Sequence, residues 1–412
     1  MIGEYVLRPL RIRPFATPAM HLLAAYLRRI KIGRLHLQFD GWTARTFGDT
    51  DIPEATLVVH RPSALLKRLV LRGDVGFAEG YMAGDWQTSD LTVLLRLLAC
   101  NERSLEAPLS SSPTHWINRL GNRLRHRLRA NNRAGSRRNI HAHYDLGNDF
   151  YRLWLDASMS YSAALFTDVR KATFDDLADA QQRKYERMLN LLDAKPGEHI
   201  LEIGCGWGGF ALAAARRGLR VTGITLSEEQ LTYANRQVTA AGLEDRIELR
   251  LQDYRDLHET FDHVVSIEMM EAVGEAYWDN YFATLKRCVR PGGRIALQVI
   301  TIDEARFEHY RSTPDFIQLH IFPGGMLPTQ TIMQTLSTKA GLDWRDSARF
   351  GQHYGKTCAL WNAKCTEQRS AIRDQGFDDA FLRRWQYYLS YCQTGFEIGA
   401  IDLVQVVLER PV

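Results

Sequence analysis

The chain has 412 residues, of which 45% are hydrophobic and 24% are charged, and 52 Lys and Arg against 48 Asp and Glu leave a net charge of +4. This globular composition excludes a fibrous or largely disordered protein, and the charge excess is too small to indicate a nucleic-acid partner by itself. No run of about 20 apolar residues is present, so we expect no membrane-spanning helix, and the N-terminus lacks a signal-peptide pattern. The six cysteines show neither CxxC nor zinc spacing, which predicts reduced thiols and no metal site in a cytoplasmic protein.

The N-terminal region, residues 1–105, is predicted to be a small α+β domain. Its sequence favours an amphipathic helix from Pro18 to Ile32 and strands over 35–39 and 55–60. A segment rich in glycine and aromatic residues follows at 73–86 and precedes a leucine-rich helix.

Residues 106–140 form a basic segment. Eight arginines occur between Arg119 and Arg138 without an acidic residue, and Trp116, Leu120 and other apolar residues recur beside them at helical spacing. Two interpretations carry equal weight. The segment is either a solvated linker or an interfacial stretch, in which each basic side chain contributes about 1 kcal/mol near an anionic membrane. No nucleic-acid recognition motif accompanies it.

Residues 141–412 are predicted to form one α/β domain, because strands and helices alternate from about residue 190 onward. Such alternation is typical of a doubly wound, mainly parallel sheet with helices on both faces. The predicted strands are 199–203, 219–225, 246–251, 263–267 and 294–300, and the predicted helices are 210–217, 228–241 and 277–289.

A glycine-rich turn, Gly204-Cys205-Gly206-Trp207-Gly208-Gly209, joins the first of these strands to a helix. Glycines there allow a tight turn and close approach of a ligand to the backbone, although a purely structural turn uses them too. The next strand ends in Thr225-Leu226-Ser227, without the acidic residue that dinucleotide enzymes place there for a ribose hydroxyl. The segment resembles motif I of class I S-adenosylmethionine (SAM) methyltransferases.

Further motifs narrow the resemblance. They are His143–Tyr151, Met159–Ser162, Met269–Gly274, Ile321–Gly325 and Tyr388–Cys392. From about residue 70 to the end, this ordered set resembles the cyclopropane-fatty-acyl-phospholipid synthase family. The resemblance implies a Rossmann-like sheet of seven strands, a lid over the acyl chain and SAM as methyl donor.

The resemblance also implies the residues of the site. Those expected to bind SAM are Tyr161, Ser162, Gly204, Gly206, Gly208, Thr225, Leu226, Gln230, Asp253 and Tyr254. Those expected to line the acyl-chain and anion pocket are Tyr144, Ala163, Gln298, Ile300 and Phe322. Those expected to be catalytic are Glu271, Tyr354 and Cys392. The family binds bicarbonate as a base, but here Ala163 replaces a Cys and Gln298 replaces a His of its usual ligands.

Single residues also have structural interpretations. Glu271 suits a helix N-terminus, where a negative charge is favourable, but the C-terminal edge of a doubly wound sheet is also where ligands bind. Nucleophilic Cys392 would need a lowered pKa, and the sequence provides no basic partner for it.

The sequence therefore predicts a SAM-dependent C-methyltransferase that adds a carbon to the cis double bond of unsaturated acyl chains in membrane phospholipids, by default giving a cyclopropane. A cytoplasmic protein held peripherally on the inner membrane surface is expected, without a nucleic-acid partner, and a homodimer is left open. Three alternatives stay open: a methyl- or methylene-branched product, a small-molecule N-methyltransferase, and a non-catalytic lipid-binding protein.

Overall fold

The computed structural model describes residues 17–42, 44–106 and 146–412. The chain divides into two compact units, Met1–Asn118 and Arg119–Val412. The predicted basic segment 106–140, apart from its first residue, and the predicted pocket residue Tyr144 lie outside the described residues. The predicted domain boundaries therefore stay predictions.

The described part of the N-terminal unit contains a four-stranded sheet in the order β2-β1-β3-β4. Its strands are β1 (Arg34–Phe39), β2 (Arg45–Phe47), β3 (Glu54–Val59) and β4 (Trp86–Gln87), and its helices are α1 (Pro18–Leu27), α2 (Pro62–Met82), α3 (Leu91–Cys100) and α4 (Glu102–Glu106). Strands β1 and β3 run parallel, whereas the other pairs are antiparallel. Alternate residues of β3 are buried, so one face of the sheet packs on the helices. The predicted α+β class of this unit is confirmed.

One prediction for this unit was inaccurate, and one helix was not predicted. Helix α1 ends at Leu27 and not at Ile32. The glycine-rich segment 73–86 is largely helical, because α2 continues through it with a single non-helical residue, Gly73. Close packing explains the glycine at position 76, because a Cβ atom there would lie 2.1 Å from the carbonyl oxygen of Arg68.

Within residues 146–412, seven strands form one sheet in the order β10-β11-β9-β8-β5-β6-β7. They are β5 (His199–Ile203), β6 (Arg220–Thr225), β7 (Ile247–Leu251), β8 (His263–Ile267), β9 (Arg294–Ile302), β10 (Asp343–Arg349) and β11 (Ile401–Glu409). Strand β11 is antiparallel to both β9 and β10, and the remaining neighbours are parallel. The predicted doubly wound, seven-stranded class is confirmed.

Helices cover both faces of this sheet. They are α5 (Asn148–Arg152), α6 (Leu177–Leu192), α7 (Gly209–Arg216), α8 (Glu228–Ala241), α9 (Met270–Val273), α10 (Trp278–Cys288), α11 (Glu304–Ser312), α12 (Phe316–His320), α13 (Gln330–Ala340), α14 (Gly351–Glu367), α15 (Arg369–Asp374) and α16 (Asp379–Glu397). Neighbouring residues of one strand enter different cores: Val264 packs in one hydrophobic cluster and Val265 in the other. Strands buried on both faces are therefore apolar nearly throughout, as in parallel sheets generally.

The order of the strands determines where a ligand can enter. Strand β5 lies between β6 and β8, so the chain leaves it toward one edge of the sheet and later returns to its other side. In doubly wound sheets, the crevice at the carboxyl ends of the strands at such a point is the usual ligand site. Among the described helices, none combines the length and apolar character that a bilayer crossing requires.

Candidate active site

The glycine-rich turn follows β5 and leads directly into α7. Gly204, Gly206 and Gly208 all have positive φ angles, of 88°, 51° and 88°. The backbone N–H groups of Gly204 and Cys205 donate to the carbonyl oxygen of Ile224 at 3.0 and 2.9 Å, which holds the turn against β6. A Cβ atom on Gly206 would meet no protein atom within 4 Å. This residue therefore leaves open space at the bottom of the crevice.

A cavity lies at this crevice, and it brings together eight of the ten residues predicted to bind SAM. They are Tyr161, Ser162, Gly204, Gly206, Thr225, Leu226, Gln230 and Tyr254. Other lining residues were not anticipated, among them Met159, Ser160, Tyr185, Glu202, Trp207, Arg255 and Glu268.

Two predicted cofactor residues do not line the cavity. Gly208 packs on helix α8, where a Cβ atom would lie 3.1 Å from the Cβ atom of Ala234. Asp253 is buried and caps the 3-10 turn Tyr254–Asp256, and its carboxylate accepts from the backbone N–H and the Nε of Arg255 at 3.0 and 2.8 Å. Asp253 therefore orients Arg255, which does line the cavity.

The cavity has the donors and surfaces that SAM requires. Gly206 leaves room for close approach of a ligand to the backbone, and the hydroxyl of Thr225 is bonded to the side-chain oxygen of Gln230 at 3.0 Å. The rings of Tyr161 and Trp207 provide π faces, and Glu268 provides negative charge, toward which a sulfonium is attracted. These residues fit the cofactor.

Glu268 is the most densely bonded acid of the site, and it was not predicted from the sequence. Its Oε1 accepts from the backbone N–H of Ala163 at 2.9 Å and from Nε2 of Gln298 at 2.7 Å. Its Oε2 accepts from the hydroxyl of Tyr354 at 2.5 Å. Three residues predicted for the anion pocket or for catalysis thus converge on one carboxylate. The available signal was a carboxylate directly after strand β8, at the ligand-binding edge of the sheet.

The side-chain amide of Gln298 is oriented by a chain of hydrogen bonds between neighbouring strands. Its Oε1 accepts from Nε2 of Gln405, and Oε1 of Gln405 accepts from Nε of Arg187, at 2.8 and 2.7 Å. Gln298 and Gln405 lie opposite each other in the β9–β11 pairing. Because a guanidinium can only donate, it fixes which end of each amide faces the next residue. The amide N–H of Gln298 therefore points toward Glu268.

Glu271 lies three residues beyond Glu268, in helix α9, and its carboxylate is only partly bonded. Oε1 accepts from the backbone N–H of Ile300 at 2.5 Å, whereas Oε2 is buried without a hydrogen-bond partner among the described residues. Burial, and then the neighbouring Glu268, raise the pKa of Glu271 to about 8. Glu271 is therefore mostly protonated at neutral pH.

Burial also raises the pKa of Glu268, but several groups oppose this rise. They are the hydroxyl of Tyr354, the N–H of Ala163, the positive charge of Lys184 and the amide of Gln298. Hydrogen bonds donated to a carboxylate and a nearby cation both favour its charged form. Of these two glutamates, Glu268 is the one that the structure stabilises as an anion.

Lys184 is a buried cation behind the cavity, and the sequence analysis did not identify it. Its Nζ donates to Oγ of Ser162 and to Oε1 of Gln181, both at 2.6 Å, and lies 4.3 Å from the ring centre of Tyr185. Burial lowers its pKa to about 8, and the acids Glu268, Asp156 and Glu202 oppose this. The signal in the sequence was a lysine on the otherwise buried face of an amphipathic helix, α6.

Aromatic side chains enclose the region next to the carboxylates. The hydroxyls of Tyr161 and Tyr388 lie 2.7 Å apart, and the Tyr388 ring makes an edge contact with Phe322 at 6.1 Å. Tyr354 stacks on Phe396 at 4.5 Å. The predicted pocket residue Phe322 is thereby joined to Tyr161 of the cofactor cavity.

The motif Ile321–Gly325 is followed by a hydrogen bond to the backbone of Glu271. The backbone N–H of Met326, directly after Ile321–Gly325, donates to the carbonyl oxygen of Glu271 at 2.8 Å. Nε2 of Gln318 donates to the carbonyl oxygen of Gly325 at 2.9 Å.

Cys392, predicted to be catalytic, is not among the cavity-lining residues described. Burial, and then the charge of Asp315, raise the pKa of its thiol. A raised pKa disfavours the thiolate, which is the nucleophilic form. Among the described residues, the groups that act on this thiol raise its pKa, so none of them activates it.

Comparison with known proteins identifies the family. The sequence profile described as mycolic acid cyclopropane synthetase matches residues 131–406. The chain belongs to this family. It is 41% identical to the tuberculostearic acid methyltransferase UfaA1 of Mycobacterium tuberculosis, over 91% of this chain and 88% of the relative. It is 35% identical to the cyclopropane-fatty-acyl-phospholipid synthase of Escherichia coli K12, over 87% of this chain and 88% of that protein.

The family's solved structures agree with the fold. Mycolic acid cyclopropane synthase CmaA1, complexed with SAH and CTAB, matches 66% of this chain and 98% of its own with a TM-score of 0.62 at 30% identity. Cyclopropane synthase MmaA2 of M. tuberculosis gives a TM-score of 0.61 at 29% identity, covering 66% and 97%. As a cyclopropane synthetase family member, the protein is a SAM-dependent methyltransferase, and the resemblance predicted from its motifs is confirmed.

Proposed function

We propose that this protein transfers the methyl carbon of SAM to the cis double bond of an unsaturated fatty acyl chain in a membrane phospholipid. The observation that carries the proposal is the carboxylate of Glu268, which lines the cofactor cavity and accepts a hydrogen bond from Tyr354, whose ring stacks on Phe396. The relatives named as a fatty-acyl-phospholipid synthase and a tuberculostearic acid methyltransferase support an acyl substrate.

SAM supplies an electrophilic methyl group on a sulfonium, and the residues of this chain do the remaining work. The glycine-rich turn and Gln230 position the cofactor, because placing donor and acceptor in line supplies about 7–11 kcal/mol of a barrier in favourable cases. The aromatic rings around Tyr161 and Tyr354 hold the chain and exclude water. Attack by the double bond leaves a positive charge on the chain, and the π faces and Glu268 stabilise this charge.

Loss of a proton then completes the product. If the proton leaves the new methyl group while the ring closes, a cyclopropane results, which is the default product for this family. A branched product is the second candidate, and one observation favours it: the relative at 41% identity is named a tuberculostearic acid methyltransferase and not a cyclopropane synthase. The replaced anion ligands, Ala163 and Gln298, are where this pocket departs from the family's pattern.

The basic segment 106–140 supports a peripheral membrane location. Its arginines and interleaved apolar residues suit an anionic lipid surface, and a phospholipid substrate would have to be reached there. We propose this location on the sequence alone.

The test measures transfer of a labelled methyl group from SAM into lipid vesicles. Vesicles of a cis-monounsaturated phospholipid should accept label, whereas vesicles of the saturated phospholipid with the same head group should not. Equal labelling of both vesicles, or label only in an added soluble amine, would contradict the proposal. Adding an anionic phospholipid should increase the rate, and a rate independent of anionic lipid would contradict the peripheral location.

A further inference from the structure

We infer that Glu268 is the proton acceptor of this reaction, a carboxylate of the protein itself in the place that an exogenous anion such as bicarbonate would otherwise take. The inference rests on the proposed function, since it concerns the proton lost after methyl transfer. Its starting point is the set of hydrogen-bond donors around Glu268. The family's motifs gave this residue no role in the sequence analysis.

The donors of the pocket are already engaged by Glu268. The N–H of Ala163, the amide of Gln298 and the hydroxyl of Tyr354 all donate to its two oxygens, within 2.5–2.9 Å. These groups come from three separate parts of the unit: the segment before α6, strand β9 and helix α14. Ala163 and Gln298 are also the two positions at which the expected bicarbonate ligands are replaced. A site whose donors converge on a side-chain carboxylate does not need a free anion to satisfy them.

The backbone conformation of Glu268 indicates a functional role for its side chain. Its φ angle is +53°, in the left-handed region that glycine adopts freely and glutamate adopts at a cost. Its own N–H donates to the carbonyl oxygen of Gln298 at 2.7 Å, which holds this conformation. Non-glycine residues in this region cluster at functional sites. The turn directs the carboxylate into the cavity that it lines.

The other carboxylates nearby are less suited to accept a proton. Glu202 also lines the cavity, but burial raises its pKa well above the usual range and its Oε2 is buried without a partner among the described residues. Glu271 is mostly protonated at neutral pH, as described above. Glu268 has three donors and the charge of Lys184 to hold it as an anion. One negative charge, on Glu268, is therefore available where the positive charge develops.

The step balances without any other reactant. For a cyclopropane, a C–H bond of the transferred methyl group breaks, and its electron pair forms the ring bond to the cationic carbon. For a methylene branch, a hydride first moves from the methylated carbon to the cationic carbon, and the electron pair of the methyl C–H bond then forms the double bond. The proton passes to an oxygen of Glu268, which becomes a neutral acid and later releases the proton to solvent. Tyr354 and Gln298 hold the carboxylate in position throughout.

The test compares bicarbonate dependence in the wild type and two variants, on cis-monounsaturated phospholipid vesicles in buffer freed of carbon dioxide. The wild type should show the same rate with and without added bicarbonate. Glu268→Gly suits the left-handed backbone and opens the anion position. It should lose about 100-fold in rate, as expected for removal of a general base, and added bicarbonate or formate should restore part of the rate saturably. Glu268→Gln fills the position with a neutral side chain and should be slow and unresponsive to anions.

The outcomes separate the inference from the proposed function. If the wild type labels no lipid, the proposed function fails. If the wild type labels lipid but needs added bicarbonate, or if Glu268→Gln keeps the wild-type rate, the inference is overturned while the proposed function stands. Calorimetric SAM affinity, measured for both variants, separates loss of the proton acceptor from loss of cofactor binding, because Glu268 also lines the cofactor cavity. If a variant no longer binds SAM, its rate does not test the inference. The bicarbonate dependence of the wild type then decides it, because that measurement needs no substitution.

Discussion

The hydroxyl of Tyr354 in helix α14 donates a 2.5 Å hydrogen bond to the carboxylate of Glu268 at the end of strand β8. Tyr354 is buried, and Glu268 lines the cofactor cavity. The bond therefore links the C-terminal helices, which supply the aromatic walls, to the sheet that supplies the cofactor site. It places an oriented acid between the two.

Replacing Tyr354 with Phe tests this link. The ring should keep its stacking on Phe396, but the donor to Glu268 is lost, so we expect turnover to fall about 10-fold with SAM affinity unchanged. Loss of a bond to the charged form raises the pKa of Glu268, so the acidic limb of the pH–rate profile should move to higher pH. The Tyr354→Phe variant keeps Lys184, Glu271 and Gln298. An unchanged pH–rate profile in this variant would show that Tyr354 does not influence the pKa of Glu268.

Replacing Gln405 with Glu tests the orientation of Gln298. A carboxylate at 405 still accepts from Arg187 but draws the amide N–H of Gln298 toward itself, which leaves the amide oxygen facing Glu268. We expect kcat to fall about 10-fold or more, because small misplacements at a reacting centre are costly, while SAM affinity stays the same. Gln405→Leu is the matched control, since it removes the orienting bond without reversing it, and should have a smaller effect. Equal rates in both variants would contradict the hydrogen-bond chain.

Replacing Glu271 with Gln tests the protonation of the second acid. The pKa of Glu271 is about 8 in the folded chain against an ordinary value of 4.5, so between these pH values the folded state holds a proton that the unfolded state has lost. The wild type should therefore lose stability as pH rises through this window, at about 1.4 kcal/mol per pH unit at most. The Gln variant lacks this contribution, so its melting temperature relative to the wild type should increase from pH 5 to pH 8 and then level off. A difference in melting temperature that stays constant with pH would contradict the raised pKa of Glu271.

The same variant has an expected effect on catalysis. Gln keeps the acceptor for the N–H of Ile300 and is neutral like the protonated acid, so turnover near pH 7 and SAM affinity should both change little. A large loss of turnover at neutral pH would show that ionised Glu271 takes part in the reaction.

Replacing Gly206 with Asp tests the cofactor site. The space beside this glycine contains no protein atom within 4 Å, and a carboxylate there would fill the position needed for approach to the turn. We expect SAM binding to be lost in calorimetry. Gly242→Asp is the control, because Gly242 also has a positive φ angle and open space but caps helix α8 outside the cavity. Undiminished affinity in Gly206→Asp would refute the assignment.

Much of the fold could be predicted from the sequence, because its patterns are local. Strands β5 and β8 and helix α8 have the predicted bounds, since a short apolar strand and a capped helix each show their ends in the residues themselves. Helix α2 was missed because its glycines weaken helix propensity, and only packing such as that of Gly76 on Arg68 explains them.

The site was predicted less completely, because its central interactions are between distant segments. The glycine turn and the aromatic motifs were visible as motifs, but the bonds of Glu268 join residues 105, 30 and 86 positions away. No periodicity or spacing reports contacts of that separation. At Asp253 a local pattern gave the wrong expectation. Its position after a strand indicated a ligand contact, whereas its carboxylate accepts a hydrogen bond from Arg255, two residues along the chain.

The most direct test of the account is mass spectrometry of the phospholipid after reaction with methyl-deuterated SAM. The account predicts a labelled carbon in the acyl fragment of cis-monounsaturated lipid. Two retained deuterons without a double bond, as judged by resistance to mild hydrogenation, would identify a cyclopropane, and two with a double bond would identify a methylene branch. Three retained deuterons would show that the proton left a chain carbon. Label confined to the head group, or absent from the lipid, would contradict acyl methylation.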